Sequence, residues 1–369
     1  MSVIEAANSG PLPGRSLAAN SRKWLKANLF ANWWSTVVTI VLAWLIFRAL
    51  KDAFEWAILH AVWVTQDGGS AACRALMGEG ACWALIGAKH RFLLFGAYPY
   101  DEQWRPALSV LLFMGLFAIS VQKRFWRREI FFIWLLVLAS VWTLMSGGVL
   151  GLSRVQTDSW GGLPVTLMLA TVGIAAAFPL AILVALGRRS SLPAIRWLCV
   201  AYVELIRGVP LISLLFVASV IFPLFAPDGM NFDKLLRAQV AIILFAGAYL
   251  AEVIRSGIQS LPRGQYEAAS ALGMSYWQTT RKIILPQALV KVIPPLVNTF
   301  IAVFKDTSLV SIVGIFDLLT AGRISISDPM WQGFAIEIYF TVGLIYFVFC
   351  FAMSKYSSHL ERDYATREH

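Results

Sequence analysis

Three groups of residues stand where a charge or polar set has to be accounted for. Glu267 precedes Ala268 and Ala269 in a polar stretch between two apolar runs. One carboxylate beside small side chains suits docking: a thin helix can enter a groove on a soluble partner. Lys305, Asp306, Thr307 and Ser308 follow an apolar stretch, Val292 to Phe304. They offer both hydrogen-bond donors and acceptors, as a polar ligand would need. At membrane depth a polar break is tolerated only where it lines a cavity or is buried in protein; an outer-end helix cap accounts for it equally well. Glu337, in the last apolar run, is a further member of this group. Glu204 and Arg207 are three apart, as are Glu252 and Arg255. Each pair can share a helix face, and the plainer reading is structural ion pairing near an interface that arginine reaches cheaply.

Other chemistry is not indicated. His60, His90, His359 and His369 show no ligand spacing, so no metal site is expected. No Gly-Lys pair occurs anywhere, which excludes a Walker-type P-loop. Cys199 and Cys350 lie in apolar segments; Cys73 and Cys82 share a polar loop.

The elements carrying these residues are membrane helices. The chain is 58% hydrophobic and 14% charged, against about 25% charged for soluble domains, and its mean hydropathy is +0.68. A spanning helix needs about 20 apolar residues. Eight such segments lie near 31–50, 107–122, 129–149, 163–187, 209–226, 237–258, 290–304 and 334–354. The net charge of +10 sits in short clusters between these runs, which orients a membrane protein and does not suggest nucleic acid. Lys123, Arg124, Arg127 and Arg128, then Arg188, Arg189 and Arg196, then Arg263, Arg281, Lys282 and Lys291, and finally Lys355 and Arg362 all fall inside if residues 1–30 form a cytoplasmic tail. Both termini, with the tail at 357–369, are then cytoplasmic. The loop 51–106 is then outside, where an oxidising compartment would permit a Cys73–Cys82 disulfide; the alternative is two free thiols on apolar neighbours. The expectation is an all-α polytopic protein. An accessory region, 31–159, precedes a working module at 160–356.

Residues 262–291 form the most informative segment. Gly264 precedes a short helix containing Glu267. Gly273 stops it in a left-handed conformation, Ser275 and Gln278 make a capping box, and Pro286 bends or ends the second helix. Ala268 and Ala269 make one face thin.

The pattern Glu267-Ala268-Ala269, Gly273, Ile283, Leu285-Pro286 resembles the coupling motif of permeases of ATP-binding-cassette importers. By ordinary residue usage a chance match is on the order of one in ten thousand. The resemblance covers about 160–356. It narrows to the polar amino acid permeases on Arg207-Gly208-Val209-Pro210, Tyr249 to Ser256, Gly264-Gln265 and Lys305 to Leu309. The overall layout is similar to the general L-amino acid permeases of Gram-negative bacteria. The resemblance implies a MetI-like, type I core of five spans and a dimer of ATPase subunits that use ATP and Mg. It also implies a second permease subunit and a periplasmic amino-acid-binding protein. The long N-terminal extension points to a paralogue as that second subunit. The chain itself would bind no cofactor and catalyse nothing; membrane lipid surrounds it. An ion-gradient-coupled secondary amino acid transporter would explain the spans and buried charges but not the coupling motif. A non-transporting scaffold that recruits a soluble partner would tolerate neutral replacement of Lys305 and Asp306.

Overall fold

The structure, a computed structural model, describes residues 24–65, 69–225, 227 and 232–365. Most of the tail at 1–30, His369 and the last four residues of the tail at 357–369 lie outside the described residues. The chain divides into two compact units, 1–83 and 84–369.

In the first unit, α1 (Trp33–Phe54) is a 22-residue helix with no buried residue, followed by a π-turn at Glu55–Leu59. Beyond it, α2 (Ala71–Ala75) carries Cys73, which is disulfide-bonded to Cys82 with a Cα–Cα distance of 5.4 Å. That spacing is ordinary for a disulfide. Backbone bonds Val62 to Ala81 (2.8 Å) and Ala81 to Trp56 (2.9 Å) hold the clip against the end of the π-turn.

The second unit starts with α3 (Ala84–Phe95), then α4 (Trp104–Val121) and α5 (Glu129–Ser146). Next come α6 (Gly162–Gly187), α7 (Pro193–Arg207) and α8 (Leu211–Phe216), which runs through a π-turn into α9 (Phe222–Leu224). Then follow α10 (Lys234–Gln259), α11 (Arg263–Ala271), α12 (Tyr276–Thr279), α13 (Leu285–Lys291) and α14 (Ile293–Asp306). A two-residue strand, β1 (Phe316–Asp317), leads into α15 (Leu318–Ser327) and α16 (Ala335–Ala365).

Among the described residues, six helices are long and apolar enough to cross a membrane, or seven if the bent pair α7 and α8–α9 counts as one. The chain is therefore a multi-pass membrane protein, with six or seven such helices among the described residues where eight spans are expected. The fifth expected span, 209–226, is the second arm of a 103° bend. The bend has a local cause: Pro210 lacks an N–H and prefers an extended conformation at its neighbour, and it caps α8 with φ −60° and ψ 142°. The first expected span, α1, falls outside the six. The expected tail from 357 is helical, since α16 continues to Ala365.

The core is the pairing of α6 with α10. Both have 26 residues, or about 39 Å at helical rise. α10 presents Ala238, Ala241, Ala246, Gly247, Ala248 and Ala251, all buried. Small residues let helix backbones approach closely, which drives association where no hydrophobic effect operates. Gln239 crosses this interface, donating to the Leu169 carbonyl at 3.2 Å.

At one end of α4, Arg105 is completely buried. It pairs with Glu102 and donates to the carbonyls of Leu144 (2.5 Å) and Ser153 (3.0 Å). Beside it the Tyr98 hydroxyl donates to the Met145 carbonyl at 3.0 Å, and burial pushes its pKa up to about 12.

Candidate functional site

The segment 262–291 folds as a knuckle of two helices between α10 and α14. The first helix ends as its sequence dictates. Gly273 has φ +69°, Gly273 N–H donates to Ser270 (2.9 Å) and Met274 N–H donates to Ala269 (3.1 Å). Those two bonds are a Schellman motif, which satisfies carbonyls that a helix end leaves bare. The capping box is also present: Ser275 N–H donates to Gln278 Oε1 (2.9 Å), and Gln278 N–H to Ser275 Oγ (3.4 Å).

Three expected details are different. Gly264 lies inside the first turn of α11, whose cap is Pro262. Ala269 is completely buried, so the exposed thin face is Ala268 beside Glu267. Of the two expected effects, bending or ending, Pro286 does not end the second helix; a π-turn at Thr280–Ile284 precedes it and α13 continues through it. A π-turn absorbs the register change that a proline otherwise forces. Ile283 and Leu285 are half-buried and Ile284 is fully buried, so this arm is the rooted one.

One side-chain contact ties the knuckle to the end of a span, and another ties its two arms together. Arg189, just beyond α6, donates to the Tyr266 hydroxyl at 3.1 Å and lies over its ring. Gln287 on α13 donates to Gln265 on α11 at 3.1 Å. Its free surface is unusually apolar for a polar segment: Leu272, Tyr276 and Trp277 are 78%, 58% and 67% exposed. The sequence reading missed these three. The available signal was large apolar residues flanking a helix stop.

The charged pairs are rearranged. Glu252 binds Arg255, as expected, but also Arg188 at 2.5 Å and Arg207 at 3.9 Å. Glu204 does not pair with Arg207; it pairs with Arg188 at 3.0 Å. The expected Glu204–Arg207 pair is therefore corrected to a network centred on Arg188 and Glu252, joining α6, α7 and α10.

At the opposite end, α14 tightens into a 3-10 turn, Thr307–Val313, ended by Gly314 at φ +71°. Lys305 is exposed, Asp306 half-buried and Thr307 completely buried. Thr307 and Ser308 turn their hydroxyls back to the carbonyls of Phe304 (2.7 Å) and Lys305 (2.8 Å). The expected break is thus a change from α to 3-10 winding within one helical stretch, Ile293–Val313, and its hydroxyls serve the helix. Glu337 is buried in the first turn of α16.

Next to this break sits a carboxylate that sequence reasoning missed. Asp317 is fully buried and caps α15, accepting from Leu319 N–H and Thr320 N–H (3.0 Å each) and from the Tyr346 hydroxyl (3.3 Å). Tyr346 also meets Thr166 and Thr307, so one polar knot joins α6, the 3-10 turn, α15 and α16. Burial pushes the Asp317 carboxyl above the usual range, and the donors from Thr320, Leu319 and Tyr346 oppose that shift. The knot needs close backbone approach: Gly162, at φ +68°, pairs with Asp317, and a Cβ on it would lie 2.2 Å from the Leu94 carbonyl oxygen.

Comparison with known proteins gives the family. Residues 177–365 match the family described as binding-protein-dependent transport system inner membrane component. The chain is 45% identical over 362 residues to the inner membrane amino-acid ABC transporter permease protein YhdY of Escherichia coli K12, covering 96% of both chains. It is 36% identical over 430 aligned positions to the glutamate/glutamine/aspartate/asparagine transport system permease protein BztC of Rhodobacter capsulatus, covering 98% of both. Among solved structures, an amino acid ABC transporter with histidines shares 35% identity over 55% of this chain and 92% of that one, with a TM-score of 0.49. With its all-helical multi-pass architecture and its knuckle between two spans, this chain belongs to the binding-protein-dependent transport family of inner membrane permeases.

Proposed function

We propose that this chain is one permease subunit of an ATP-driven importer for L-amino acids, polar and broad in range. The observation that carries the reading is the knuckle: a rigidly capped pair of helices exposing Glu267, Leu272, Tyr276 and Trp277 while rooted in the spans. An apolar patch with a charge beside it, presented on a short helix, suits insertion into a groove. Two relatives aligned over nearly the whole chain are named as amino-acid permeases, which supports the substrate class.

In this reading the ATPase dimer sits on the knuckles of this chain and of a paralogous second permease. ATP and Mg belong to those ATPases. Closure of the dimer moves α11 and α12, and Arg189 and Gln287 pass that motion to α6 and α13. The path then opens outward to an amino acid delivered by a periplasmic binding protein. Lys305, Asp306, Thr307, Ser308 and Glu337 supply this chain's share of the path, near the outer ends of α14 and α16. Basic clusters inside place both termini in the cytoplasm.

The test is uptake of radiolabelled amino acids into vesicles carrying the assembled complex. Uptake that needs ATP and persists when ion gradients are collapsed agrees with the proposal. Uptake abolished by collapsing the gradient while ATP is present contradicts it and favours a secondary transporter.

A further inference from the structure

An apolar groove of about 810 Å³ opens between α5, α6, α13, α14 and α16, within the second unit. That volume lies in the range of ~300–1,000 Å³ typical of ligand sites. Its walls include Trp126, Phe131, Trp134, Phe178, Phe300 and Leu360. The two indoles do not make it polar. Trp126 Nε1–H donates to the Ser120 carbonyl (2.8 Å) and Trp134 Nε1–H to Ser120 Oγ (3.0 Å). Their rings therefore face the groove with their donors already used.

The chemistry changes at one end. Arg124, Arg127 and Arg128 lie on the loop and first turn that lead into α5, beside the wall residues Trp126 and Ile130. All three are exposed, and none forms an ion pair among the described residues. Lys291 and Lys355 stand on the neighbouring α13 and α16; Lys291 is drawn toward the Ser260 carbonyl (3.5 Å) and Lys355 lies over Phe351. Acidic residues near this end are Glu129, Glu361 and Asp363, of which Asp363 faces His359 at 3.5 Å. Among the described residues no ion pair joins the three arginines to these carboxylates, and the arginines flank the wall residues Trp126 and Ile130. An amphiphile with an anionic head and long apolar tails fits both parts.

We propose that this groove holds an anionic phospholipid of the bilayer, its acyl chains between α5 and α14 and its phosphate on Arg124, Arg127 and Arg128. Basic pockets between membrane helices on the cytoplasmic side bind such headgroups, and the orientation proposed above puts this end there. The bound lipid would fill the seam between the accessory helices α4–α5 and the core helices α14 and α16. It would cover apolar surface that the chain itself leaves open.

The test uses the full chain, purified in mild detergent with whatever subunits accompany it. Phospholipids that remain bound are extracted and identified by mass spectrometry. Phosphatidylglycerol or cardiolipin should be enriched over their share of the host membrane. In the exposed-surface triple variant Arg124→Gln, Arg127→Gln, Arg128→Gln, the anionic fraction should fall, by about fivefold per neutralised arginine. Ala175→Trp, which fills the groove wall, should reduce retained lipid of every headgroup. On delipidated protein, phosphatidylglycerol should raise the melting temperature, whereas phosphatidylcholine with the same chains and inorganic phosphate should not. Three results would overturn the proposal. They are anionic lipid at its bulk proportion in the wild type, retention unchanged in the triple variant, and a photo-crosslinker at Phe131 that captures protein in place of lipid.

Discussion

Gln287 Nε2 donates to Gln265 Oε1 at 3.1 Å, and also to its own helix at the Ile283 carbonyl, 3.0 Å away. This one side chain fastens the two arms of the knuckle. A net hydrogen bond contributes ~1 kcal/mol, so losing it should make amide exchange across 263–273 about fivefold faster in Gln287→Ala. Gln265→Ala should do the same, and the double variant should add nothing further, because the two residues share one bond. Additive effects would show that they act separately.

Gly273 holds the stop between the arms at φ +69°, with no atom within 4 Å of a Cβ built on it. Any cost of a side chain there is backbone strain, ~1–2 kcal/mol. Gly273→Ala should therefore weaken the Schellman bonds and lower uptake, while Gly273→Asn, which tolerates the left-handed region better, should retain more. Exchange rates at Met274 and Gly273 report the strain directly.

Asp317 predicts a pH signature. Its folded-state pKa is raised by burial, so the native state binds more protons than the unfolded chain between about pH 4 and that raised value. The contribution is fully favourable below the unfolded pKa and is lost as pH rises through the folded one. The melting temperature of wild type minus that of Asp317→Asn, measured in detergent, should increase as pH is lowered from 8 to 5. A difference that is flat or opposite in sign contradicts the account of Asp317.

Lys305 and Asp306 are the last two residues of α14, exposed and half-buried respectively. If they line the path, Lys305→Met and Asp306→Asn should each cut uptake while ATPase subunits still copurify in normal amount. Normal uptake in both would remove them from the path.

What was legible in the sequence was what is decided locally. Gly273, Ser275 and Gln278 fix the knuckle by contacts a few residues long, so their types and spacing suffice. The long spans were legible from apolar length. Glu204 was misassigned because its partner, Arg188, is sixteen residues away on another helix, whereas Arg207 only looks adjacent. Arg105 and Asp317 were invisible for the same reason. Each sits at the edge of a polar loop in sequence and becomes buried only when carbonyls or hydroxyls from distant helices converge on it. The 103° bend at Gly208–Pro210 carried a local proline signal, but the apolar run after it resembled an ordinary span.

Glu267 tests the central claim most directly. It is exposed on the free face of the knuckle, so Glu267→Ala should leave folding and membrane insertion intact. ATP-driven uptake and ATPase copurification, measured on the same preparation, should both fall, by about tenfold or more if one charged contact is lost. Unchanged uptake together with unchanged ATPase association would contradict the coupling role of the knuckle.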